Sequence, residues 1–208
     1  MVTMAETAST GRKRQEERRM ETRAKLVDAA IKLLYEKGAS QLTTQDVARE
    51  AGMTRGAIQY HFDSPKSLLV ASINEIAARL VEHLNTEQLK QLPLQERLDR
   101  VFDEYWRGFQ GEAYTAFMEI TLRGRNDPEF SAAITSALEE LERQRALTWQ
   151  EIFADTGREL DEIISWRSTL MITFRGLALT RIIAGDSEKL SPQVERFKDM
   201  FKQYLTAS

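Results

Sequence analysis

The 208 residues predict an all-α fold of about nine helices. Three observations carry this. Apolar residues recur at three- and four-residue intervals along the chain, and no stretch alternates as a strand does. Glycine, proline, asparagine and aspartate punctuate the chain at helix-length intervals, at Gly38, Gly52, Leu92-Pro93, Gly111, Asn126-Asp127-Pro128, Thr156-Gly157 and from Gly185 to Pro192. Between residues 43 and 67, two short helical patterns are joined by a glycine turn. That is the layout of a helix-turn-helix, whose second helix enters the major groove of DNA.

Residues 1–22 read as a polar arm running into a helix start, with residues 1–15 expected to be poorly ordered away from DNA. Arg12, Lys13, Arg14, Arg18 and Arg19 give it a basic character that Glu16 and Glu17 dilute, so a phosphate-binding arm and a solvated helix start both remain open. From Arg23 to Gly38, the residues Val27, Ala30, Ile31 and Leu34 follow the i, i+3, i+4, i+7 pattern of one buried helix face, widened by Leu26 and Leu33. Lys37 and Gly38 end that helix. Thr43 then caps the next, with Asp46 in the capping-box position, and Val47, Ala48 and Ala51 form its apolar face. Gly52 is placed to turn left-handed. Thr54 caps a further helix in which Ile58 and Phe62 face inward and Arg55, Gly56, Gln59 and Tyr60 face outward. Ser64 and Pro65 open the helix after it. Arg, Gln, Tyr and Thr beside small Gly and Ala make a surface suited to base edges and phosphates.

The run LVDAAIKLLYEKGASQLTTQDVAREAGMTRGAIQYHFDSPKSLL resembles the N-terminal domain of TetR/AcrR-type transcriptional repressors. The similarity covers about residues 23–69 and rests on D-A-A, E-x-G, T-T-x-x-V-A and A-G-M-T-x-G-x-I-x-x-H-F spacing, the last pair being His61 and Phe62. It implies that Arg55, Gly56, Ala57, Gln59 and Tyr60 enter a major groove. Thr43, Thr44, Tyr60, His61 and Lys66 would hold phosphates, with Thr54 at the helix start and Gln45 near a base edge. Two positions depart from the family pattern. Gln59 stands where a tyrosine is usual, and Pro65 stands where a phosphate-gripping lysine is usual, with Lys66 one place later. Gln59 can read an adenine edge or touch backbone.

The remainder reads as six helices, near 64–85, 94–110, 112–124, 128–155, 160–185 and 191–206. The chain then divides into an arm (1–22), a DNA-binding domain (23–69) and a helical effector-binding and dimerisation domain (70–208). The segment 160–185 is apolar around most of its circumference, which requires burial on two sides. One side would pack on its own domain and the other on a second subunit, through Leu170, Phe174, Leu177, Phe197 and Phe201. The resemblance implies the same dimer, formed by the last two helices, and a small-molecule pocket. Candidates for the pocket are Tyr105, Trp106, Phe109, Phe117, Glu119, Arg145, Trp149 and Arg175. The aromatic residues fit a plain core equally well. Arg145 and Arg175 lie in register with apolar faces and need partners, either Glu119 and other internal carboxylates or an effector.

Composition narrows the classes. Residues 1–70 hold 12 Lys and Arg against 9 Asp and Glu, a net of +3, whereas residues 71–208 hold 17 against 23, a net of −6. A positive module joined to an acidic one fits a DNA-binding head with a regulatory body. There are no cysteines, and His61 and His83 lack metal-ligand spacing, so neither a metal nor a cofactor is expected. No nucleophile motif or phosphate loop argues for an enzyme. The N-terminus lacks an apolar signal core and TLMITFRGLALT is too short and charged to cross a membrane, so a cytoplasmic protein is expected. The combined expectation is a homodimeric, ligand-responsive repressor that leaves a near-palindromic operator when a small effector binds. A helical adaptor for protein partners is the principal alternative.

Overall fold

The computed structural model describes residues 4–79, 84–185 and 190–206, with side chains from residue 13 onward. Among the described residues there are ten α-helices and no strands: α1 (Met4–Lys37), α2 (Thr44–Glu50), α3 (Arg55–His61), α4 (Pro65–Arg79), α5 (Thr86–Lys90), α6 (Leu94–Gln110), α7 (Glu112–Gly124), α8 (Pro128–Phe153), α9 (Leu160–Ala184) and α10 (Ser191–Thr206). The one that sequence patterning misses is α5. Its five residues are too few to show a period, though Asn85 caps it by accepting from the Gln88 N–H, and Leu89 is buried. Within the arm expected at residues 1–15, residues 4–15 form the first part of α1, which runs unbroken through 34 residues, about 50 Å. The Arg12 side chain and His83 lie outside the described residues.

The chain packs as two compact units, one of Met1–Glu75 with Ala116–Ile134, the other of Ile76–Thr115 with Thr135–Ser208. Helices α4, α7 and α8 each give residues to both. The first unit is built on the stripe of α1, where Leu26, Ala30 and Leu34 are fully buried, joined by Val47, Ile58, Phe62, Leu68 and Ile73. Ala116, Phe117, Ile120, Phe130 and Ile134 complete this core. Each large apolar side chain so buried contributes about 1.5–3 kcal/mol.

The second unit is dominated by aromatic rings. Phe174 packs edge-on against Phe102 at 4.8 Å between centroids and also meets Trp106, Phe109 and Phe197. The buried Trp149 indole N–H donates to the Tyr105 hydroxyl at 2.8 Å, which satisfies the polar tip of each ring. Arg97 is buried and ties the start of α6 to the end of α8: it donates to the Ile152 and Leu92 carbonyls and pairs with Asp155.

Candidate nucleic-acid interface

The turn between α2 and α3 is held by hydrogen bonds at both ends of α2. Thr43 caps α2 by accepting from the Asp46 N–H at 3.1 Å, and its hydroxyl donates to the Asp46 carboxylate at 2.8 Å. That hydrogen bond holds the Asp46 carboxyl below its ordinary range. At the other end of α2 the Met53 N–H reaches the Ala48 carbonyl and the Gly52 N–H reaches the Arg49 carbonyl, the paired bonds of a Schellman cap. Gly52 adopts φ +67°, a conformation that costs a residue with a Cβ about 1 kcal/mol or more.

Helix α3 therefore leaves the turn at a defined angle. Ile58 and the following Phe62 are buried, while Arg55, Gly56, Gln59 and Tyr60 are exposed, Tyr60 by 70%. Thr54 makes no side-chain capping bond and is exposed, so its hydroxyl is available to an outside acceptor. A Cβ built on Gly56 would meet only the Thr54 hydroxyl oxygen, at 3.7 Å. The absence of a side chain at Gly56 therefore serves nothing inside the chain and opens space on the outer face. Gln45 and Thr43 are exposed beside this face, and Thr44 and Ala57 are half-buried.

Two expected phosphate ligands, Lys66 and His61, sit in particular surroundings within the chain. Lys66 is engaged: its ammonium lies 2.6 Å from Asp127, and that pairing raises the lysine and lowers the aspartate from their ordinary pKa values. His61 is half-buried. Burial first, then the charges of Arg19 and Arg23, lower its pKa, and its Nδ1 has no hydrogen-bond partner among the described residues. The shift favours the neutral imidazole, which offers a hydrogen bond in place of a charge.

Arginines of α1 also reach this surface, which residue spacing alone did not show. The Arg19 guanidinium lies 5.9 Å from the Tyr60 ring centre and Arg23 lies 5.1 Å from that of Phe62. Beneath the head, the turn after α1 is held at both backbone groups of one residue. The Ala39 N–H donates to the Glu119 carboxylate at 2.8 Å, and the Ala39 carbonyl accepts from Arg123 at 2.6 Å.

Residues 26–72, which include the whole of this turn and α3, match the family model described as bacterial regulatory proteins of the tetR family. The head is therefore similar to the DNA-binding domain of tetR-family transcriptional regulators. It is 25% identical over 181 residues to the transcriptional regulator CymR of Pseudomonas putida, covering 87% of this chain and 89% of that one. It is 38% identical over 64 residues to the regulator TtgR of Pseudomonas putida, covering 31% of this chain and 30% of that one. In fold it is similar to the fatty acid degradation regulator FadR of Bacillus halodurans (TM-score 0.68, 16% identity, 89% and 97% of the two chains). It is also similar to FadR of Bacillus subtilis solved with stearoyl-CoA (TM-score 0.64, 18% identity, 88% and 97% of the two chains).

In the second unit, the candidate residues fall in different settings. Leu170, Phe174 and Phe201 are buried inside a single chain, so a second copy cannot reach them; Leu177 and Phe197 are half-buried. The large apolar residues that α9 turns outward are Leu160, Ile172, Leu179, Ile182 and Ile183, with Met200 and Tyr204 exposed on α10. Tyr105, Phe109 and Trp149 are closely packed core and Trp106 is half-buried against Phe174. Phe117 and Glu119 serve the first unit, Phe117 in its core and Glu119 on Ala39. Arg175 is exposed, contrary to its expected inward register, and the arginine of α9 that turns inward is Arg167. Arg145 is buried as its register predicts, donating to the Ala77 carbonyl at 2.6 Å. No helix among the described residues is long and apolar enough to cross a membrane.

Proposed function

We propose that this protein is a homodimeric repressor that binds a near-palindromic operator through α3 and releases it when a small molecule occupies the second unit. The observation that carries the reading is the outer face of α3. Arg55, Gly56, Gln59 and Tyr60 stand exposed on a helix whose inner face, Ile58 with the following Phe62, is buried within the chain. In this reading Arg55 and Gln59 reach base edges, while Thr43, Thr54 and Tyr60 hold phosphates. His61 adds a neutral hydrogen bond, and Lys66 reaches phosphate only by exchanging Asp127 for it. Gln45 and Thr44 flank the groove at the start of α2.

An exposed apolar seam on α9 supports the same reading. Ile172, Gly176, Leu179 and Ile183 follow an i, i+4, i+7, i+11 seam on α9; all four are exposed, and a Cβ at Gly176 would meet nothing. Met200 and Tyr204 on α10 extend the apolar surface. Two copies joined there carry two α3 helices, and two-fold symmetry then sets the half-site spacing. FadR of Bacillus subtilis, which shares the fold, was solved with stearoyl-CoA. By analogy the second unit here takes an effector, and α4, α7 and α8, which have residues in both units, carry its influence to the head. Effector and operator then weaken one another by equal factors.

Selection of bound sequences from a random duplex pool tests the reading. A two-fold symmetric motif, bound in a salt-sensitive gel shift, is the expected result. Recovery of no common motif would favour the alternative of a helical adaptor that does not bind DNA.

A further inference from the structure

Among the described residues, three arginines and one carboxylate gather in the second unit. Glu142 and Arg145 stand one turn apart on α8, and Arg167 and Arg175 two turns apart on α9. Glu142 is the shared counter-charge: Arg167 hydrogen-bonds to it and Arg145 lies 3.8 Å away. Burial alone would raise the Glu142 carboxyl, but the Arg167 hydrogen bond and the charges of Arg167, Arg145 and Arg175 hold it below its ordinary range. One carboxylate cannot balance three guanidinium groups. Arg145 shows the imbalance, since burial lowers its pKa and the neighbouring Arg167 and Arg175 lower it further.

The hydrogen-bond count points the same way. Arg167 is 98% buried by its 2% relative exposure, yet its Nε and Nη2 have no partner among the described residues. Those two atoms form one edge of the guanidinium, the side-on fork that binds a carboxylate through two parallel hydrogen bonds. Arg145, 7% exposed, also leaves Nε without a partner. Buried donors of a charged group left unpaired are destabilising, so an anion bound there would stabilise the arrangement. Exposed Arg175 brings the cluster to the surface, where an anion can approach. Tyr114, which burial pushes up to about 12 against the opposing charge of Arg175, stays protonated there as a neutral hydroxyl.

The geometry points to an organic-carboxylate site in the second unit, with the Nε–Nη2 edge of Arg167 as the bidentate anchor, Arg145 and Arg175 supplying further positive charge, and Glu142 as the internal competitor. The inference rests on the effector-responsive reading above and names the class of effector. An apolar body on the acid follows from the setting. A small hydrophilic anion would give up strong hydration to enter among buried groups, whereas an aryl or alkyl chain contributes its own burial.

The test is thermal unfolding of the full-length protein with octanoate, decanoate, benzoate and phenylacetate, each beside its amide. At least one acid is expected to raise the midpoint by about 5 °C or more at a hundredfold excess over its Kd, and its amide is expected not to. Arg167→Lys keeps the charge but loses the fork, and is expected to reduce the shift. Glu142→Gln removes the competitor and is expected to enlarge it. Circular dichroism shows whether each variant is folded; should the lysine variant unfold, the glutamine variant alone decides. No response to any of the four acids, equal responses to acid and amide, or a smaller shift in Glu142→Gln would overturn the site and leave buried water as the partner of Arg167. A gel shift on the ligand-free protein separates the two readings. Protein that binds an operator but no acid refutes this site alone, and protein that binds neither refutes the regulator reading as well.

Discussion

Replacing Gly56 with alanine should make the protein more stable and a worse DNA binder. Gly56 is the second residue of α3, exposed, in ordinary helical conformation, and a Cβ there meets only the Thr54 oxygen at 3.7 Å. Alanine in place of a helical glycine adds about 0.5–1 kcal/mol, at the lower end near a helix start. For a chain of this size that raises the unfolding midpoint by about 1–4 °C. The new methyl points outward, where the proposed interface places DNA. If it holds α3 about 1 Å further from the groove, hydrogen bonds near 2.9 Å pass beyond useful length. Losing two at about 1 kcal/mol each weakens binding roughly thirtyfold. Differential scanning fluorimetry reads the first effect and fluorescence anisotropy on the selected operator, at fixed salt, reads the second. Unchanged or tighter operator binding would show that Gly56 does not lie close to DNA, and a lowered midpoint would show that the open space around it has been misjudged.

Arg55→Ala should cost about 1–3 kcal/mol of operator affinity and relax specificity at one base position, measured across single-base operator variants; a uniform loss over all sequences would make Arg55 a phosphate contact instead. Ile183→Glu places a charge at a residue 77% exposed in the single chain; sedimentation should show monomers, and operator binding should fall with dimerisation. A variant that stays dimeric would move the interface off α9. Because the folded state lowers the pKa of His61 from 6.5, the unfolded chain takes up that proton first. Stability should therefore fall as pH drops below about 6.5, and His61→Gln should flatten that part of the curve in denaturant titrations. An identical slope in the variant would assign it to other groups.

The DNA-reading head was legible because its signals are local. Thr43 with Asp46, Gly52, and the Ile58 and Phe62 pair each act within one or two turns, and each has the structural consequence its chemistry implies. What the sequence concealed depends on distant partners or on a helix without a clear polar face. Lys66 looked available because Asp127, its partner, lies 61 positions away. Helix α9 is apolar on nearly every side, so spacing could not decide which arginine turned inward or which aliphatic residues turned outward. The structure chose Arg167 over Arg175, and sent Ile172, Leu179 and Ile183 outward while burying Leu170 and Phe174. Polar residues 4–22 carry no apolar stripe to announce a helix, yet they extend α1 and bring Arg19 to Tyr60.

The hold that Glu119 and Arg123 exert on Ala39 bears on how such proteins can be recombined. Both backbone groups of that residue are satisfied by side chains encoded some eighty positions downstream. A fragment ending at residue 75 would lack these partners, along with the core residues Phe117, Ile120 and Phe130. Grafting this head onto another sensor therefore requires residues 116–134 to travel with it, so the exchangeable part is two separate stretches of gene and not one.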